Sequence, residues 1–232
     1  MDLLLGGIQQ AFQLIFSGDA LTWHALLVSL SCTVIAVFLA ALIAVPYGAW
    51  LGLYRPNARG EILLLRVGMS VPTVLIGLLC YALFTREGGL LGSLGLLYTQ
   101  VAIIFGEFLL ALPLLGALTH GLTASLDRVV SESALTLGAT RLQALLTALK
   151  ESRPALLGAL LAAFCRCLTE LGIVMTVGGN IALQTRTLPS TIQRELSKGD
   201  FERALAAGMI LLVVALSATL VAHWAGTDRA EP

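Results

Sequence analysis

Residues 25–54 carry no charged side chain. A run of that length exceeds the roughly 20 apolar residues that a helix needs to cross a hydrocarbon core. Backbone inside lipid must satisfy its own hydrogen bonds, and a single apolar segment does so as a helix. Four further apolar stretches repeat the signal: 67–85, bounded by Arg66 and Arg86; 98–118, with Glu107 inside; 154–177, with Arg166 and Glu170 inside; and 204–222. The expected fold is therefore all-α, an integral membrane protein of five transmembrane helices. Composition agrees, since 57% of the 232 residues are hydrophobic and 12% charged, about half the charged share of a soluble domain. The formal net charge is zero, and no nucleic-acid partner is expected.

An odd number of spans puts the two termini on opposite sides of the membrane. Basic residues set the direction. One side collects Arg55, Arg59, Arg66, Arg128, Arg141, Lys150, Arg153 and Arg229, and the other Arg86, Arg186, Arg194, Lys198 and Arg203. The richer side is expected in the cytoplasm, which leaves the amino terminus outside and the carboxyl terminus inside. Trp23, Trp50 and Trp224 fall near span ends, as interfacial anchors do. Residues 1–18 are too short and too polar for a sixth span. They set Ile8, Phe12, Ile15 and Phe16 opposite Gln9, Gln10 and Gln13, the pattern of a helix lying in the interface. Met1-Asp2-Leu3 gives no basic start for a secretory signal. No internal repeat or soluble domain is visible, so residues 1–232 are taken as one transmembrane domain.

Between the third and fourth apolar runs lies a water-facing stretch, residues 119–153. It divides into two short amphipathic segments around Gly138. Ser125 is placed to cap the first, with Asp127 in its first turn and Leu126, Val129, Val130, Ala134 and Leu137 on one side. Thr140-x-x-Gln143 has the form of a capping box for the second, whose Leu142, Leu145, Leu146 and Leu149 follow helical spacing before Pro154. A helical hairpin at the membrane surface suits docking of another protein.

Charged side chains within spans cost roughly 2.5–3.5 kcal/mol each, so they face a bundle interior or a water path. Arg166 and Glu170 are four apart and share one helix face. Glu107 is a second possible partner for the arginine. Arg166 thus either contributes positive potential to an anion path or holds helices together through an ion pair. The pair is the plainer reading, because a neutralised arginine attracts anions weakly. Beyond this helix come Gly178-Gly179-Asn180 and then Arg186. Such a turn either ends a helix or exposes backbone amides and a cation to a passing anion.

Enzyme chemistry has little to stand on. Only His24, His120 and His223 are available, no His-Glu-x-x-His occurs, and no Gly-Lys-Ser/Thr phosphate loop is present. Cys32, Cys80, Cys165 and Cys167 lie in apolar runs as buried thiols. No cofactor or metal site is expected, and a nucleotide-driven process would need another chain. A secondary carrier would need coupling-ion sites and usually a repeat, and neither is visible.

Glu132-Ser133-Ala134, three residues, then Gly138 resembles the coupling motif of ABC importer permeases, Glu-Ala-Ala, three residues, Gly. The placement before the second-to-last span also fits. Further on the pattern departs, with Ala148 and Lys150-Glu151 at the positions of its Ile and Leu-Pro, and the proline delayed to Pro154. Ser29-Leu30 with Thr33 and Ala36, Pro46-x-Gly48, and Pro72-Thr73-Val74 with Gly77 resemble the first two core spans of these permeases. Arg166 through Gly172 and then Gly178-Gly179-Asn180-Ile181 are similar to the molybdate, sulfate and tungstate group, and Val177 through Ile181 followed by Thr185-Arg186-Thr187-Leu188 most resemble its tungstate branch. The resemblance implies a homodimeric permease in a bacterial or archaeal cytoplasmic membrane. Each coupling loop, around Glu132, Ser133, Ala134 and Gly138, would engage one subunit of an ABC ATPase dimer. A periplasmic or extracellular oxyanion-binding protein would deliver the substrate, and lipid would surround the spans. The oxyanion would be tungstate, with molybdate, sulfate or another small solute as alternatives.

Overall fold

The structure is a computed structural model that describes residues 5–6, 8–10, 12–13, 19–55, 57–125, 136 and 138–227, with side chains as far as Val221. Its helices are α1 (Ala20–Tyr54), α2 (Arg59–Ser70), α3 (Thr73–Phe84), α4 (Gln100–Ala124), α5 (Arg141–Glu151), α6 (Arg153–Leu168), α7 (Leu188–Lys198) and α8 (Phe201–Thr227). A 3₁₀ turn, Gly92–Leu94, precedes α4, and a π-helical turn, Val174–Gly178, follows α6. No strand occurs among the described residues.

Three helices, α1, α4 and α8, are long and apolar enough to cross a membrane. The other two expected spans are broken. Val71 before Pro72 takes an extended ψ of 127°, as steric conflict with the proline ring requires. α2 and α3 therefore meet at 92°, and residues 67–85 are not one straight span. The twelve-residue α3 is about 18 Å long, short of a bilayer core by itself. α6 likewise stops at Leu168, and helix resumes only after Thr169–Leu171 with the π turn.

The core forms where α1 packs along α4. Ser29, Cys32, Ala36, Ala40, Ala44 and Gly48 are buried at helical spacing on α1. Small residues let two backbones approach, the usual way for helices to bind within lipid. A Cβ on Gly48 would lie 2.6 Å from Gly116 O and 3.0 Å from Thr119 Cβ, and one on Gly52 would lie 2.8 Å from His120 O. The π turn is seated against α3 and α4, where Gly77 faces Thr176 and Gly106 faces Ile173. Cys32, Cys80 and Cys167 are buried in this core as free thiols.

The amino-terminal expectation falls mostly outside the described residues. The parts that are described are helical, and Gly6 lies against the Glu202 carboxylate at the start of α8.

Candidate translocation path and coupling surface

Arg166 lies in the last turn of α6 and donates from Nη1 to Glu170 Oε2 at 2.8 Å. Glu170 is buried, and its other oxygen accepts from Ile173 N–H at 3.2 Å. One carboxylate thus ties the end of α6 to the start of the next helical turn, across the break at 169–171. Arg166 itself is 44% exposed, so its guanidinium is held on one side and open on the other. Glu107 does not join them. It is buried on α4 with Oε2 lacking a hydrogen-bond partner, and no ion pair reaches it among the described residues. The Cys167 thiol donates to its backbone carbonyl at 3.7 Å.

The surroundings of Arg166 give it a context that the charges alone do not. Ala155, Gly158, Ala162, Arg166 and Thr169 are all exposed and fall on one side of α6. A lipid-facing side would carry large apolar residues, as α8 does with Leu212, Val213, Leu216 and Leu220. This side is small and polar. At the end away from Arg166, α4 adds Ala117, Leu118, Gly121 and Leu122 to an apolar groove of about 380 Å³. A Cβ on Gly121 or Gly158 would meet nothing within 4 Å. Sequence reasoning singled out Arg166 and missed the rest, although small residues in helical register with the arginine were the available signal.

The Gly178–Asn180 turn is held tightly. Gly179 and Asn180 have φ of +67° and +51°, and nearby Tyr98 and Leu183 have +63° and +57°. Three non-glycine residues in the left-handed region within one cluster mark a strained turn. It is fastened by Tyr98 N–H to Val177 O at 2.8 Å and by Thr185, whose hydroxyl donates to Gly178 O and accepts from Ile181 N–H. Arg186 donates from Nε to Asn180 Oδ1 at 3.0 Å and from Nη2 to Asn180 O at 3.2 Å. The guanidinium expected to meet an anion is buried and commits two donors to this turn. Burial, and then the charge of Arg194, push it down from the ordinary arginine value.

On the coupling side, Glu132, Ser133 and Ala134 lie outside the described residues. Gly138 has φ +86°, and no described residue lies within 4 Å of where its Cβ would stand, so backbone conformation calls for glycine there. The capping box that follows is formed: Thr140 N–H donates to Gln143 Oε1 at 2.7 Å, and Gln143 N–H to Thr140 Oγ1 at 3.3 Å. Tyr54 anchors α5 to the end of α1 through its hydroxyl to Arg141 O at 2.9 Å. Ser125 donates back to Leu122 O at the end of α4, and the helix it was expected to cap lies outside the described residues. The leucines of α5 divide between its two sides: Leu145 is buried, whereas Leu142 and Leu146 are 67% and 48% exposed one turn apart.

The comparisons with known proteins agree with this architecture. The family described as "Binding-protein-dependent transport system inner membrane component" matches residues 44–227. The tungstate uptake system permease protein TupB of Campylobacter jejuni is 34% identical over 96% of this chain and 93% of its own. The protein of the same name from Peptoclostridium acidaminophilum is 32% identical over 96% and 98%. Among solved structures, a bacterial alginate ABC transporter in complex with an alginate pentasaccharide-bound periplasmic protein superposes with a TM-score of 0.73 at 17% identity, covering 96% of this chain and 86% of that one. At that identity the likeness speaks for the fold. With the family pattern running from the middle of α1 to the end of α8, the chain belongs to the binding-protein-dependent transport system inner membrane components, the non-catalytic permease subunits of ABC importers.

Proposed function

We propose that this permease imports tungstate, as one subunit of a homodimer driven by a separate ABC ATPase dimer and fed by an oxyanion-binding protein at the outer face. The observation that carries the reading is the exposed small and polar side of α6, with Arg166 and Thr169 at one end. One copy supplies half a path, and a second copy facing it across a two-fold axis would close the path. The half-free Arg166 would then present positive charge to a dianion without binding it tightly, as conduction requires. The strained Gly178–Asn180 turn, braced by Arg186, forms the outer gate. Five spans place the amino terminus outside and the carboxyl terminus in the cytoplasm, with the bent α2–α3 pair and the interrupted α6 segment as two of the five. Residues 119–153, including Glu132, Ser133, Ala134 and Gly138, carry the coupling loop. Its movement with the closing ATPases rocks the dimer between inward-open and outward-open states.

The permease, reconstituted with its ATPase and binding protein in liposomes, should take up tungstate only with ATP. Molybdate and sulfate, tetrahedral dianions of the same charge, are the competitors. Arg166→Gln should lower uptake while binding-protein-stimulated hydrolysis persists. Uptake unaffected by that change would remove Arg166 from the path, and preferential uptake of molybdate or sulfate would reassign the substrate.

A further inference from the structure

Where α1 and α8 begin, they flank a cleft of about 40 Å³ whose lining joins Leu21 and Ala207 to the charged groups of Asp19, Arg186, Arg194, Glu195 and Arg203. Its charges are unevenly matched. Glu195 is already taken by Arg194 at 2.6 Å and Lys198 at 3.0 Å. Arg186 is bonded to Asn180, which is neutral, and the Arg203 side chain has no ion-pair partner among the described residues. Asp19 caps α1 through Oδ2, and Oδ1 accepts no hydrogen bond among the described residues. Two cations and one carboxylate therefore line the same small space.

The cleft continues into an apolar groove of about 150 Å³ between the same two helices, lined by Trp23, Leu26, Ile210, Val213 and Val214. Thr22 borders both. Residues 203, 207, 210 and 214 lie on one side of α8 and lead from the charges into the groove over about 16 Å. Behind it, Ala25, Leu188 and Ile210 form a small core separate from the main one. The groove thus runs into the membrane from a charged end at its surface, the profile of a phospholipid.

We propose that the cleft and groove together bind one phosphatidylethanolamine. Its phosphate meets Arg203 and Arg186, its ammonium meets Asp19 Oδ1, and one acyl chain lies against Trp23, Leu26, Ile210, Val213 and Val214. The ammonium separates this lipid from phosphatidylcholine, whose quaternary amine cannot donate a hydrogen bond to Asp19. The acyl chain separates it from a free oxyanion or phosphate, which would leave the groove empty. Bound there, the lipid fills the seam between the first and last helices beside the Asn180–Arg186 turn.

Native mass spectrometry of the full-length permease, released from nanodiscs holding equal parts of palmitoyl-oleoyl phosphatidylethanolamine, phosphatidylcholine and phosphatidylglycerol, tests this. The wild type should retain phosphatidylethanolamine in preference to the other two. Arg203→Gln should weaken retention about tenfold, the scale of one charge-assisted hydrogen bond. Val213→Trp fills the groove from an exposed position and should weaken it comparably without touching a charge. Asp19→Asn keeps a good N-cap and should erase the preference over phosphatidylcholine while leaving phosphate-dependent binding. Wild type that retains no lipid, or retention indifferent to both Arg203→Gln and Val213→Trp, would overturn the proposal. So would displacement of the lipid by inorganic phosphate at equal concentration, which would make the cleft a free-anion site.

Discussion

Glu107 and Glu170 are buried to the same degree, 2% and 3% exposed, yet their surroundings assign them opposite sensitivities. Glu170 answers a guanidinium and a backbone amide, whereas Glu107 has no cation beside it. Glu107→Gln should therefore change thermal stability in detergent by less than about 1 kcal/mol, since no charge pair is lost. Arg166→Gln leaves a buried carboxylate without its cation, a loss of about 3–5 kcal/mol in a fully buried pair. Here the loss should be nearer about 2 kcal/mol, because Arg166 is 44% exposed and screened, and Ile173 N–H remains. The double change with Glu170→Gln should recover part of that loss, a coupling that a double-mutant cycle reads directly. Equal stability of all three variants would mean that the pair does not hold the break after α6 together. Spacing pointed to the pair, although Glu170 sits in the break beyond α6 and not on the shared helix face that the spacing assumed. The isolation of Glu107 was not legible, because it depends on how α4 is rotated about its axis.

At the scale of elements, the second coupling helix was the most legible part of the chain. Thr140 and Gln143 announce its start, and Pro154 stands at the beginning of α6. Which leucines face outward could not be read, since an amphipathic stripe does not say whether it meets its own protein or a partner. Leu142 and Leu146 are the exposed pair, and they are the surface we expect the ATPase to cover. Gly138→Val should uncouple this helix from the ATPase. A β-branched residue at φ +86° costs about 1–2 kcal/mol, and among the described residues no side chain stands close enough to clash with it. Gly138→Asn, which tolerates the left-handed region, should be milder. Co-purification of the ATPase and binding-protein-stimulated hydrolysis are the readouts, and equal effects of Val and Asn would move the cause from backbone to side chain. The broken spans were partly legible. Pro72 marks the bend between α2 and α3, but the apolar run on either side of it suggested continuity. The interruption after α6 has no proline, and the helical turn beyond it packs through Ile173 and Thr176 against Gly106 and Gly77, contacts that are remote in sequence.

For the whole molecule, apolar length identified a helical membrane protein, while the exposed small-residue side of α6 emerged only once α6 was folded, because small residues look alike in a core and on an open face. Orientation rests on the bias of basic residues and can be tested on two exposed serines that the expected topology puts on opposite sides of the membrane. Ser125 closes α4, and Ser197 lies in the last turn of α7. In a background lacking Cys32, Cys80, Cys165 and Cys167, Ser197→Cys should react with a membrane-impermeant maleimide in intact cells. Ser125→Cys should react only after permeabilisation. The reverse pattern would turn the permease over, and it would also move the Asp19–Arg203 cleft to the inner leaflet. The two labels bear on the transport cycle as well. If the Gly178–Asn180 turn gates the path from the side of Ser197, a cysteine introduced at Asn180 should change its labelling rate when ATP and the loaded binding protein are added, while Ser197→Cys on the exposed face of α7 should not. A constant rate at position 180 across the cycle would place the gate elsewhere.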